Sequence, residues 1–100
     1  MSRSIGEKIR IMRKSEMLTQ KQMAELTGIP AGTLIHYEQG KSKPGADALI
    51  KILKPQKLRK YRDWFLFDEM EPKAGQVIPA LARVGQDETE SPRYGSNSGE

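Results

Sequence analysis

Apolar residues fall at helical spacing through the first half of this chain, and glycine and proline cut the pattern into short pieces. Ile5, Ile9 and Met12 lie one above another on a helix, and the Ser4-x-x-Glu7 capping box predicts its start at Ile5. Lys8, Arg10 and Lys14 then face out, while Arg13 lies near the apolar side and needs a partner if it is buried. Thr19 and Gln22 form a second capping box, with Met23 and Leu26 on one face behind it and Ala24 small enough for close approach. Gly28 supplies the left-handed residue that ends this helix, and Pro30 pre-sets the start of the next. In that third helix Leu34 and Tyr37 point inward. Ala31, Gly32, Thr33, Ile35, His36 and Gln39 are left outside.

The pattern continues through a fourth helix over residues 46–54, with Leu49, Ile52 and Leu53 apolar and Pro55 as its stop. Residues 56–67 predict a fifth helix with Leu58, Tyr61 and Phe65 on one face. Trp64, Leu66 and Phe67 make its end apolar all round, so it must meet something besides its own core. Residues 76–78 read as a short strand, and residues 80–84 as a second extended or weakly helical piece. A lone short strand needs a partner, and a second copy of the chain is the simplest supplier. Trp64, Phe65, Phe67, Val77, Ile78 and Leu81 are therefore the expected dimer interface. The predicted architecture is an all-α, five-helix unit over residues 1–67. A dimerisation extension with a short strand follows over 68–86, then a disordered polar tail over 87–100.

Charge sharpens this picture. Residues 1–62 carry 14 Lys or Arg against 5 Asp or Glu, a balance of +9, and the remainder carries a balance of −5. A basic front half with an acidic end is the electrostatic layout of a nucleic-acid binder. The outer face of the third helix fits such a role. A solvated face normally carries Lys and Glu, whereas this one has Ile35, His36, Thr33 and two very small residues, which suit thymine methyls and base edges in a major groove. The competing reading is a capped helical hairpin in a small bundle, with Ile35 incidentally exposed.

Other chemistry is poorly supported. The chain has one histidine, His36, and no cysteine. That leaves no metal-ligand set and no nucleophile–base arrangement, so neither an enzyme nor a cofactor or metal is expected. No apolar run reaches membrane-spanning length, and the charged N-terminus does not resemble a signal peptide. A cytoplasmic protein with no membrane partner and no small-molecule substrate is expected. Ser42 between Lys41 and Lys43 reads as a phosphate clamp.

Arg13, Leu18, Thr19, Gln20, Met23, Ala24, Gly28, Thr33, Leu34, Glu38, Gly40, Lys41 and Pro44 together resemble the Cro and C-type group of phage-repressor helix-turn-helix domains. Trp64–Phe65, the AGQVIPALA stretch and the GQDETESP tail are similar to the short C immunity repressors of peduovirus-type temperate coliphages. The resemblance implies a sequence-specific repressor that binds a double-stranded DNA operator and maintains lysogeny. By the same resemblance, Ala31, Gly32 and His36 are the principal base-facing positions, with Thr33 and Ile35 beside them. Arg10, Gln20, Lys21, Gln39, Lys41 and Lys43 face phosphates, and Arg13 pairs with Glu38 inside the fold. Operator halves arranged as direct repeats are also implied, whereas a two-fold dimer predicts inverted ones. The chain departs from the family at Met17, where Gly is common, and at Ala31 and Gly32, where Gln, Arg or Ser is common. Two other functions remain open at this point: a DNA-binding antitoxin whose C-terminal region holds a toxin, and a protein-interaction adaptor on a helix-turn-helix fold.

Overall fold

The computed structural model describes residues 3–87. Among these residues the chain is helical, in the order α1 (Ile5–Ser15), α2 (Gln20–Thr27), α3 (Ala31–Gln39), α4 (Ala46–Leu53), α5 (Gln56–Arg59), α6 (Arg62–Phe67) and α7 (Ala80–Asp87), with a single 3-10 turn at Pro72–Ala74. Both capping boxes form. The Ser4 amide donates to Glu7 Oε1 at 2.9 Å and the Glu7 amide to Ser4 Oγ at 3.1 Å. The Thr19 amide likewise donates to Gln22 Oε1 at 2.9 Å, and the Gln22 amide to Thr19 Oγ1 at 3.0 Å. Gly28 ends α2 at φ 78°, the left-handed conformation that an L side chain resists. Ile9, Met12, Met23, Ile29, Leu34, Ile52, Leu58, Trp64 and Phe65 fill one core.

The expected fifth helix is two helices. Tyr61 sits at φ −102° and ψ 6°, outside the helical well, and interrupts the run between α5 and α6. Gln76 explains how this break is tolerated. Its buried side-chain amide donates to the Arg59 carbonyl at 3.1 Å and accepts from the Asp63 amide at 2.9 Å, so backbone groups on both sides of the break find partners. The Val77 amide adds a bond to the Lys60 carbonyl at 2.8 Å.

The expected strand at residues 76–78 does not form. Only an isolated antiparallel bridge joins Glu71 and Gln76, closing the 3-10 turn. Val77 spends its N–H on Lys60, and Pro79 has none, so no ladder extends from the bridge. After Pro79 the chain forms α7, where an extended or weakly helical piece was the expectation. Ala82 is fully buried, α7 packs back on α1, and the Leu81 amide donates to Ser15 Oγ at 3.2 Å. The polar tail beyond residue 87 lies outside the described residues.

Two of the expected interface residues also change place. Trp64 is 2% exposed and Phe65 4%, so both belong to the chain's own core, not to a surface for a second copy. Val77 and Ile78 are half-buried against that core, while Phe67 and Leu81 remain exposed. Lys8 is a further correction: expected on the outer face, it is buried and reaches the end of α6.

Met17 holds the turn between α1 and α2. The Leu18 amide bonds to the Arg13 carbonyl and the Met17 amide to the Lys14 carbonyl, both at 3.0 Å, which is the Schellman pattern with Met17 in its left-handed position at φ 56°. Its side chain is 88% exposed and gains little there. Met17→Gly should therefore raise stability by about 1 kcal/mol, seen as an increase in melting temperature of roughly 4–8 °C. An unchanged or lower melting temperature would show that the left-handed turn carries no strain.

Candidate DNA interface

Helix α3 is held against the rest of the fold by three separate contacts. Leu34 enters the core, and Ile29 is buried just before the helix begins. Thr27 Oγ1 donates to the Met23 carbonyl at 2.8 Å and accepts from the Ile29 amide at 3.2 Å, fixing the turn between α2 and α3. At the other end, Gly6 of α1 lies directly against the α3 backbone. A Cβ at Gly6 would sit 2.2 Å from the Tyr37 carbonyl oxygen and 3.2 Å from that of Glu38.

The third contact is ionic. Arg13 Nε donates to Glu38 Oε2 at 2.8 Å and Nη2 to Glu38 Oε1 at 3.0 Å, a bidentate pair. The Arg13 side chain is 11% exposed and the Glu38 side chain 5%. Arg13 Nη1 also donates to the Leu18 carbonyl at 2.9 Å, so one guanidinium ties α1, the turn before α2, and α3. Gln20 joins this group through a long bond from its Nε2 to Glu38 Oε1 at 3.4 Å. Thus Arg13, Glu38 and Gln20 come together from α1, α3 and the first residue of α2.

The outer side of α3 is partly as expected. Gly32, His36 and Gln39 are exposed, whereas Ala31, Thr33 and Ile35 are half-buried, with only part of each surface available. Nothing lies within 4 Å of where a Gly32 Cβ would stand, so the fold itself does not require glycine there. Arg10, Lys14, Lys21, Lys41 and Lys43 are exposed around this helix. A shallow cleft lined by Arg10, Arg13, Lys14, Gln20, Glu38 and Gln39 runs beside it. A second cleft, between the start of α1 and the loop after α3, is lined by Arg3, Gly6, Tyr37, Ser42 and Lys43 among others.

A polar tie joins the C-terminal end of α1 to the junction of α5 and α6. Glu16 accepts from the Tyr61 hydroxyl and pairs with Lys60 Nζ at 2.9 Å. Burial works to raise the Glu16 pKa, but the Tyr61 hydrogen bond and Lys60 outweigh it and hold the carboxyl below its usual range. Burial, and then the Glu16 carboxylate, push the Tyr61 phenol well above its ordinary value.

Gly6 was missed as a residue that positions α3, and the inward turn of Lys8 was missed as well. The signal at Gly6 was readable: a glycine inside a well-capped helix costs about 1 kcal/mol relative to alanine, and close backbone approach is a reason to accept that cost. Nothing local marks Lys8.

A helix-turn-helix family model matches residues 9–55, which covers α2, the turn and α3 together with most of α1 and all of α4. Repressor protein C of Escherichia phage P2 is 48% identical over 99 residues, spanning 99% of this chain and the whole of that protein. The chain belongs to the helix-turn-helix family of phage C repressors. The similarity to the phage protein spans 99% of the chain and so extends beyond α4 through α5, α6 and α7. No helix among the described residues is long and apolar enough to cross a membrane.

Proposed function

We propose that this repressor-family protein binds a double-stranded DNA operator as a homodimer, occupies an early lytic promoter and so maintains lysogeny in the cytoplasm of its bacterial host. The observation that carries this reading is the contrast between the two sides of α3. Its inner side is locked by Leu34, by the Gly6 approach and by the Arg13–Glu38 pair. Its outer side offers small and neutral polar groups, surrounded by exposed lysine and arginine.

In this reading α3 lies in the major groove. His36 and Thr33 meet base edges, Ile35 meets a thymine methyl, and Ala31 and Gly32 bring the start of the helix close to the bases. Arg10, Gln20, Lys21, Gln39, Lys41 and Lys43 hold phosphates. Affinity then falls with salt at a log–log slope near ~−0.9 per phosphate neutralised. Dimer formation draws on apolar surface that the single chain leaves open. Phe67 is 63% exposed beside Leu66, and Leu81 is exposed on α7. Repression follows from excluding polymerase and needs no ligand.

Gly32 gives the sharpest test of groove approach. A helical glycine in open space is a net loss for the fold, so Gly32→Ala should raise the melting temperature by a few degrees, equivalent to about 0.5–1 kcal/mol. The same change should weaken operator binding about tenfold, because the new methyl occupies space reserved for DNA. A gain in stability without loss of affinity would remove Gly32 from the interface.

Base and phosphate roles separate experimentally. Selection of sites from random DNA at near-physiological salt should enrich a motif, and its repeat spacing and orientation distinguish direct from inverted half-sites. On the selected duplex, His36→Ala should relax base preference by about 1–3 kcal/mol at its position. Lys41→Ala should weaken all sequences alike and reduce the salt slope by about one unit. Failure to enrich any motif would overturn the repressor reading; similar behaviour of the two variants would overturn the division of roles.

A further inference from the structure

Lys8 is a buried cation that the DNA-facing surface does not use. Its side chain is 7% exposed, and its ammonium is surrounded by acceptors from the far end of the fold. Nζ donates to the Trp64 carbonyl at 3.2 Å and to the Phe65 carbonyl at 3.1 Å, and it pairs with Asp68 Oδ1 at 2.8 Å. It also lies 5.3 Å from the centre of the Trp64 ring. All three N–H groups of the ammonium therefore have a partner.

These acceptors belong to the last turn of α6, a helix of six residues that has too few internal bonds to persist alone. The chain leaves α6 through Asp68 in the left-handed conformation at φ 57°. Its own following amides reach back to the Asp63 and Trp64 carbonyls. Lys8 supplies a donor to the Phe65 carbonyl, and its positive charge sits at the negative end of the helix. The same turn carries Leu66 and Phe67, both exposed.

We propose that Lys8 is a positioning residue for self-association: reaching from α1, it caps α6 and holds Leu66 and Phe67 in the arrangement that a second copy meets. This rests on the homodimer reading above. It joins the helix that braces α3, through Gly6 and Arg13, to the apolar turn offered to the partner. One rigid element thus sets the reading helix and the dimer contact together, which is what spacing two reading helices along DNA demands. Without Lys8 the Phe65 carbonyl loses its side-chain donor and the Trp64 carbonyl keeps the Asp68 amide, so the last turn of α6 is freer to fray and Leu66 and Phe67 lose their fixed directions.

The test measures self-association by sedimentation equilibrium for wild type, Lys8→Met and Asp68→Asn. Helical content and fluorescence of Trp64, the single tryptophan, are recorded on the same samples. Lys8→Met keeps the length of the side chain and loses its donors. Asp68→Asn removes the ionic partner at an exposed position and keeps a residue that tolerates the left-handed turn. Lys8→Met is expected to weaken the dimer at least about tenfold while retaining helical content, with an altered Trp64 emission. Asp68→Asn is expected to weaken it about two- to threefold. Binding of the monomeric fraction to a random-sequence duplex at low salt should stay at the wild-type level, since the phosphate-facing residues are untouched.

A wild type that stays monomeric removes the dimer reading and, with it, this proposal. A wild-type dimer that Lys8→Met leaves at full strength overturns the role of Lys8 alone. Should Lys8→Met fail to fold, Asp68→Asn decides: a weakened dimer with unchanged helical content supports the role, and an unchanged dimer refutes it.

Discussion

Gly6→Ala should lower the melting temperature by about 15 °C, the equivalent of about 3 kcal/mol, and should cost operator affinity beyond what partial unfolding explains. On an exposed helix the same exchange normally stabilises by nearly 1 kcal/mol. Here the sign reverses, because the new Cβ would stand 2.2 Å from the Tyr37 carbonyl oxygen and 3.2 Å from the Glu38 oxygen. Those obstacles are backbone atoms, which cannot rotate away as a side chain would. Relief requires α1 and α3 to separate.

That separation has a functional cost, since Glu38 and Arg13 span the same interface and His36 precedes the contact by one residue. Thermal melts and binding isotherms below the transition, with the folded fraction taken into account, check both effects. Wild-type stability in Gly6→Ala would show that the two helices have slack at this point. Reduced stability with wild-type affinity of the folded fraction would show that α3 keeps its pose without close contact to α1.

What could be read in the sequence was local in the chain. The capping boxes at Ser4–Glu7 and Thr19–Gln22 connect residues three apart, and Gly28 with Pro30 mark the turn that they themselves make. Helical spacing correctly put Leu34, Ile9 and Met12 inside. What could not be read depended on distant partners. The break between α5 and α6 is satisfied by Gln76, 13 and 17 residues from the groups it bonds. Lys8 turns inward because of carbonyls 56 and 57 residues away.

Val77 and Ile78 have the β-branched look of a strand, yet their surroundings offer the Lys60 carbonyl and the core in place of a neighbouring strand. Trp64 was expected to spill out of an over-apolar helix, and Phe65 was counted with it toward a dimer interface. The break at Tyr61 ends α5 and sets α6 apart from it, so both aromatic rings turn into the core and Phe67 is left outside. Helix α3 was more legible than its supports because its exposed residues sit on one short, regular element. The close approach of Gly6 appears only once α1 and α3 are assembled.

Arg13→Met should cost about 3–5 kcal/mol, since it leaves the Glu38 carboxylate buried with little more than the long Gln20 bond. Arg13→Met/Glu38→Leu should regain most of that stability. Replacing a buried ion pair with apolar groups of similar size removes the desolvation penalty along with the attraction, and is often neutral or better. If the pair only stabilised the fold, the double variant would bind its operator like wild type.

The geometry points to a different outcome. The guanidinium bonds at once to Glu38 on α3 and to the Leu18 carbonyl before α2, so it fixes the angle between the two helices and holds the Glu38 carboxylate where the Gln20 amide reaches it. Apolar replacements fill space but set no such angle, because dispersion contacts have no direction comparable to a bidentate pair. The double variant should therefore melt near wild type and still bind the selected operator at least about tenfold more weakly. Its binding to random-sequence duplex should change little, because the exposed lysines around α3 are unaffected. Chemical denaturation of all four members of the cycle gives the coupling energy, and isotherms on both duplexes give the affinity. Full operator affinity in a stable double variant would reduce Arg13–Glu38 to a replaceable piece of core, leaving Gly6 and Leu34 to orient α3.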